Sequence, residues 1–509
     1  MTHEYVLGID NGGTTTKAAI YDPEGNVVAL SQAKLTVSTP RPLFTERDMG
    51  EFWEANITAI RDCLAASGVD PANIKAVAVT GHGNGVYLAR KDGSGVRPGV
   101  VSTDARAQSI VDEWIADPQF RPRVRSKTNS AVWAGQPVAL LAWFDRHEPE
   151  VFDQTDYVFQ AKDYIRYMLT GTAAMEISDF TGVSYANLFT KELDEDIFDF
   201  FGITRWIEKL PPRCGSVEIA GHISKEAAQL TGLAEGTPVA GGAMDIAAGA
   251  LGAGLAADNE LCVITGTWSI NEVLSPTINS AEDVFLTLEY PVEGQYLVLE
   301  GGPNGVSNLE WYIRNVLRHS FEAFSDRTLS EEDIFEMCES MIADYTPDVD
   351  DPFFLPFING TSVIPHGRAG FVGFTQFHDI RHMVRAVYEG VIFSHLDHIT
   401  NLRRYTDLTG HVRFTGGAAN SAMWAQMFAD GINVPLDIVD ADESGTLGMA
   451  ILATVAAGIH PDVPSAVAAM TSAPRQTIMP DPEFATLFAT RYARYREHLA
   501  ALSDTKETK

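Results

Sequence analysis

Near its start the chain reads VLGIDNGGTTTKAAIYD, and this string constrains the fold more than any other. Apolar residues lead to Asp10, Gly12 and Gly13 form a turn, three threonines and Lys17 follow, and a second apolar run spans Ala18 to Tyr21. The pattern predicts a strand, a tight turn and a strand. A turn of this kind offers N–H groups and hydroxyls (Gly12, Gly13, Thr14, Thr15) to a phosphate while the Asp10 carboxylate faces a metal ion. An ordinary β-hairpin with a glycine turn fits the same letters. Lys17 fits a phosphate contact or a surface strand position.

The strands that follow argue against the best-known nucleotide folds. A DPEG turn leads into a third strand, Val27 to Leu30, so the chain opens as a meander rather than as the strand–loop–helix unit of a P-loop or dinucleotide fold. From Asp48 a helix is predicted, with Met49, Phe52, Trp53, Ile57, Ile60 and Leu64 on one face. IKAVAVTG (Ile74 to Gly81) then reads as a buried strand ending in a glycine-rich loop, GHGNG. Three strands, a helix and a further strand predict a layered α/β domain. Residues 105–240 read as an inserted helical and loop region, with helices at Ala139 to Glu148 and Asp163 to Leu169.

The opening theme returns about 250 residues later. PVAGGAMDIAAGALGAG gives an apolar lead, two glycines, Asp245 and a small-residue helix, and ELCVITGTWSINEVL is again strand, turn and strand. A chain of 509 residues exceeds one core. The repeated hairpins predict two domains of related plan, divided as 1–250 and 251–509. Further helices are predicted through Val384, Tyr388, Ile392, Leu396 and Ile399, from Ser421 to Ile432, and along GTLGMAILATVAAGI.

The formal net charge of −31 excludes a basic field for nucleic acid or an anionic membrane surface. A polyanion must therefore be held locally, by backbone amides, a cation and at most one lysine. No apolar run reaches the about 18 residues of a membrane helix. Four scattered cysteines without a CxxC pair and the lack of a basic or apolar leader lead us to expect a reducing cytoplasm.

Each remaining polar cluster carries two readings. Asp245 suits a catalytic base or a helix N-cap. Gly266 and Thr267 suit a second phosphate turn or a hairpin corner. Gly416, Gly417 and Asn420 suit a flat adenine-binding loop or a plain strand-to-helix connection. Asn84, Asp104 and Arg106 offer amide, carboxylate and guanidinium groups to a polyol, or form a loop pair and a salt bridge. Trp133 suits a sugar-stacking ring or a core residue. His395 and His398 lack a third ligand and read as structural. No serine-hydrolase elbow, zincin helix or Walker lysine is present.

In their order these segments resemble the FGGY carbohydrate kinase family along essentially the whole chain. IDNGGTTTKAAIYD, GHGNG, STDARA, KDYIRYMLTG, GGAMDIAAGALGAG, ITGTWS and FTGGAANSAMWAQMFADGINVPL carry the likeness. The resemblance implies a two-domain actin-like ATPase (ribonuclease H-like) fold with a cleft between the domains. It implies ATP and Mg²⁺ as cofactors and a sugar or polyol substrate. Asp245 would be the base and a sugar contact, Asp10 the metal-side carboxylate, Gly12 to Thr15 with Gly266 and Thr267 the phosphate loops, and Gly417 and Asn420 part of the adenosine loop. It leaves room for a homodimer. Gly13 replaces a frequent threonine, Ile246 a frequent asparagine, and Asn84 the histidine of xylulokinase-type loops. The Arg-Glu pair of glycerol kinases is absent. The chain looks closest to L-xylulose kinase and xylulokinase-type members. The rival readings are an actin-like-fold ATPase with a conformational output and a non-catalytic sugar-binding regulator.

Overall fold

The computed structural model describes residues 4–504 apart from 259, 281–282, 324–328, 344, 362–366, 406, 409 and 441–442. The opening string forms β1 (Tyr5–Asn11) and β2 (Thr15–Tyr21), antiparallel, with Asp10 opposite Lys17. β3 (Val27–Lys34) extends the meander, and β4 (Ile74–Gly81) lies parallel to β1 on its other side. Two further strands come from the tail of the region read as an insertion: β5 (Ile219–His222) and β6 (Pro238–Ala240). The sheet order is β5-β6-β4-β1-β2-β3.

A second sheet repeats this plan. β7 (Leu261–Thr265) pairs antiparallel with β8 (Ser269–Ser275), which neighbours β9 (Tyr296–Gly302). On its other side β7 runs parallel to β10 (Val412–Gly416), β10 parallel to β11 (Leu436–Ile438), and β11 antiparallel to β12 (Gln476–Ile478). The order β12-β11-β10-β7-β8-β9 matches β5-β6-β4-β1-β2-β3 in the direction of each defined pairing, and in chain order for β10-β7-β8-β9 against β4-β1-β2-β3, while the two outermost strands arrive in the opposite chain order. The hairpin repeat legible in the letters is therefore a repeat of topology over these four strands.

The predicted first helix is Met49–Ser67, capped by Asp48, whose side chain accepts from Glu51 N. Such a cap contributes about 1 kcal/mol. Its core face differs from the apolar periodicity at one place. Asn56 is fully buried there, and Ile57 is only half-buried. The reason is a bond: Asn56 Nδ2 donates to Asn11 Oδ1 at 2.8 Å, which also accepts from Thr16 Oγ1 at 2.9 Å. The helix is thus tied through an amide to the first turn.

The compact units differ from a division at residue 250. One comprises Met1–Asp258, Leu274–Val298 and Ala441–Ser472; the other comprises Asn259–Val273, Leu299–Asp440 and Ala473–Lys509. The small-residue helix Ser444–Ala456 packs in the first unit, on β1 and on the helix Asp245–Gly252. Close approach explains its composition. A Cβ on Gly8 would strike the Thr446 carbonyl, and one on Gly448 would strike the Ala248 carbonyl. No helix among the described residues is long and apolar enough to cross a membrane.

Candidate active site

In the first unit the ends of three parallel segments come together. β1 ends at Asp10–Asn11, paired with Thr80–Gly81 at the end of β4. Ala243–Met244 pairs with the same Thr80–Gly81 from the other side, and Asp245 follows at once. This places Asp10, the GHGNG loop and Asp245 at the carboxyl ends of the central strands, where open α/β sheets hold their ligands.

The two carboxylates share an electrostatic problem. Asp10 is pushed up to about 6, first by burial, then lowered by the Lys17 charge and raised again by Glu443. Asp245 is also pushed up to about 6, first by burial and then by the charge of Asp10, while the amides of Gly83 and Ile246 pull it down. Ile246 N donates to Asp245 Oδ1 at 2.8 Å. Lys17 is half-buried and pairs with Glu443 Oε1 at 3.0 Å. Glu443 and Gly445 lie more than 420 residues from Asp10 in the chain, and no local pattern marks them. A Cβ on Gly445 would overlap the Asp10 carboxylate.

The turn itself is built to be approached. Gly12 N donates to Thr15 O at 3.0 Å, which closes the hairpin, and Gly13 and Thr14 are exposed at its tip. Nothing occupies the space where a Cβ of Gly13 would stand. Behind the tip lies Arg47, a residue the sequence reading did not single out. It is buried, and its Nη2 donates to Gly13 O at 2.5 Å. Sandwiched in TERDM just before the first helix, it carries no spacing signal of its own. Next to it His82 is buried with Nε2 2.9 Å from Tyr87 Oη. Burial and the Arg47 charge hold this imidazole neutral, down at about 3.

The groups read as sugar contacts divide. Asn84 is buried with φ of 64° and its Oδ1 has no protein partner. That is an acceptor held ready in a strained turn. Trp133 is half-buried and stacks on Phe285, centroids 5.2 Å apart. Asp104 and Arg106 are buried and bonded to each other at 2.8 Å and 2.9 Å. Asp104 Oδ2 also accepts from Thr45 N at 2.6 Å, and Arg106 Nη2 donates to Glu46 Oε1 at 2.7 Å. The salt bridge allowed by their spacing forms, inside the protein, and it braces the segment that carries Arg47.

The second unit joins the other two predicted loops. Gly266 N donates to Trp268 O at 3.2 Å across the β7–β8 turn, which contains Thr267. Thr265 Oγ1 donates to Thr415 O at 2.9 Å and accepts from Ala418 N at 3.0 Å. One hydroxyl thus fixes the turn beside the Gly416–Gly417 loop. Gly416 has φ of 95° and lies against the Thr265 carbonyl, a place closed to any side chain. Gly417 and Asn420 are exposed at the start of the path to the helix Ala422–Ile432. His395 is buried with Nδ1 2.9 Å from Asn271 Oδ1, a core contact.

Two family models cover most of the chain. The N-terminal domain of the FGGY family of carbohydrate kinases matches residues 5–252, and the C-terminal domain of the same family matches residues 261–457. The chain belongs to the FGGY family of carbohydrate kinases. An L-xylulose/3-keto-L-gulonate kinase of Escherichia coli (strain K12) is 33% identical over 501 residues, covering 98% of this chain and 97% of that one. A probable L-xylulose kinase of Haemophilus influenzae is 30% identical over 501 residues, covering 98% and 99%. The solved xylulose kinase of Rhodospirillum rubrum superposes with a TM-score of 0.87 at 24% identity, covering 98% of this chain and 99% of that one. This FGGY kinase therefore has the two-domain actin-like ATPase fold and is a phosphotransferase acting on a carbohydrate.

Proposed function

We propose that this kinase transfers the γ-phosphoryl group of ATP to a primary hydroxyl of a ketopentose of the L-xylulose type, with Asp245 as the base. The observation that carries the reading is the pair Asp10 and Asp245 at the carboxyl ends of neighbouring central strands, each pushed up to about 6. At neutral pH both are ionised, and Asp245 stands close enough to the working pH to accept a proton and release it. The relatives named L-xylulose kinases support the substrate class.

In this mechanism Asp245 accepts the hydroxyl proton as the sugar oxygen attacks phosphorus in line. Phosphoryl transfer passes through a loose transition state, so positioning and charge neutralisation matter more than base strength. The exposed tip at Gly13 and Thr14 gives phosphate oxygens a place to approach the backbone, and Lys17 stands beside it. Asn84 accepts from a sugar hydroxyl, Trp133 covers an apolar sugar face, and the Asp104–Arg106 pair holds the wall behind them. In the second unit Gly266, Thr267, Gly416, Gly417 and Asn420 line the nucleotide. Mg²⁺ fits the donor set, since two desolvated carboxylates raise each other's cost of ionisation and a hard cation relieves it. Asp10 would hold it, and when bound it neutralises phosphate charge.

ADP release, measured with ATP alone and with a panel of pentuloses, polyols and hexonates, tests this reading. Release that requires a pentulose supports it. Equal release without sugar favours an ATPase with a conformational output, and sugar binding without release favours a regulator.

A further inference from the structure

Beneath Asp245 lies a buried ionic cluster that no step above uses. Lys162 Nζ is 2.8 Å from Asp163 Oδ1, 3.2 Å from Glu176 Oε2 and 2.7 Å from Asp179 Oδ2. Arg166 Nη1 is 2.9 Å from the same Asp163 oxygen. All five side chains are fully buried. Three acids against two bases leave one negative charge in excess, and burial pushes Asp179 upward against the pull of Lys162. Ion clusters of this kind cost desolvation and are weak stabilisers, so their retention asks for another reason.

The outgoing bonds supply one. Arg166 Nη1 donates to Gly241 O at 2.5 Å. Glu176 accepts from Ser216 Oγ and Ser178 Oγ, each at 2.6 Å. Ser216 O accepts from Gly242 N at 3.0 Å, and Ser178 Oγ accepts from Met244 N at 2.9 Å. Thr80 Oγ1 donates to Ala243 O at 2.7 Å, which completes the set. Four consecutive residues, Gly241 to Met244, are thus clamped just before Asp245, three of them by the cluster or its serines.

We propose that the Lys162-centred cluster is a positioning device for Asp245, acting chiefly through Glu176, Ser178 and the Met244 amide. Lys162, Glu176 and Ser178 are positioning residues: Ser178 bonds the Met244 amide next to the base, Glu176 holds the Ser178 hydroxyl, and Lys162 holds Glu176. The proposal rests on the reading of Asp245 as the base. It accounts for the buried charges by what they hold: a carboxylate that must meet one oxygen in a narrow range of angles.

The test is a double-mutant cycle on the full-length enzyme. Ser178→Ala is expected to lower kcat about 10-fold or more. The KM values for ATP and sugar stay within about twofold, because neither ligand is touched. Glu176→Gln is expected to do the same and serves as the second variant. In an Asp245→Asn background, Ser178→Ala is expected to cause no further loss of the residual turnover, since the group it positions is gone. Equal losses in both backgrounds, or a loss fully explained by the unfolded fraction measured by circular dichroism, would overturn the proposal while leaving the base in place. Near-normal turnover of Asp245→Asn alone would overturn the base reading and this proposal with it.

Discussion

Asp10 adds to the proton affinity of Asp245: its charge is the second cause, after burial, of a carboxyl pushed up to about 6. The two acids lie in the same compact unit, at the ends of segments that share β4 as neighbour. Two ionised groups are thus held where each raises the free energy of the folded state at neutral pH, and this has measurable consequences.

The first is a gain in stability on removing charge. A carboxyl whose folded-state value lies above its unfolded value of about 4 binds more protons folded than unfolded between pH 4 and 6. Stability contributed by this group therefore falls as pH rises through that window and stays low above it. Asp245→Asn is expected to raise the unfolding temperature at pH 7.5 by a few degrees, corresponding to about 1–2 kcal/mol. The gain should vanish near pH 4, where the wild-type acid is already protonated. Thermal unfolding of both proteins at pH 4.5, 6 and 7.5 checks the sign.

The same shift predicts the activity profile. As the proposed base, Asp245 works only when ionised, so kcat/KM for the sugar is expected to fall tenfold per unit below an apparent value of about 6 in the free enzyme. Initial rates between pH 5 and 8.5, with the protein shown to remain folded, read this limb directly. A limb near 4 would remove Asp245 as its origin.

Gly445 and Gly448 separate packing from chemistry. Both sit on the helix Ser444–Ala456, but a Cβ on Gly445 overlaps the Asp10 carboxylate, whereas one on Gly448 overlaps only the Ala248 backbone. Each alanine substitution should cost about 1–3 kcal/mol by overpacking. Gly445→Ala is expected to lower turnover at least 10-fold more than Gly448→Ala at a temperature where both are folded. Steady-state rates beside unfolding curves make the comparison.

Asn56→Ala tests the tie between helix and turn. It removes a buried donor to Asn11 Oδ1 and leaves Thr16 as a remaining partner. The expected cost is about 1–3 kcal/mol of stability. Chemical denaturation reads it as a lower midpoint at unchanged slope.

Much of this was legible in the letters, and the reasons are local. β4 is legible at its observed bounds because it is a short apolar run ended by glycine. The repeated hairpin was legible because both turns use Gly and Thr between apolar strands. What could not be read depends on distant chain segments. Glu443 and Gly445 reach Asp10 from the other end of the sequence. The helix Ser444–Ala456 looks like any small-residue helix, so its place in the first unit is invisible until Gly8 is seen to face it. Asn56 breaks an apolar stripe for the sake of side-chain hydrogen bonds to Asn11 and Thr16. Asp104 and Arg106 fit both a polyol contact and a salt bridge in the letters, and their bonds run to each other, Thr45 and Glu46. Spacing shows that a pair can form; it does not show which face of the loop it braces.

The most direct measurement is single-turnover phosphoryl transfer by Asp245→Asn, with ATP binding followed by calorimetry on the same preparation. The account predicts ATP affinity within about twofold of wild type and transfer to a pentulose slowed at least 100-fold, as expected when a positioned base is removed. Transfer at a near-normal rate would contradict it, and the role given to Asp245 would have to pass to another group.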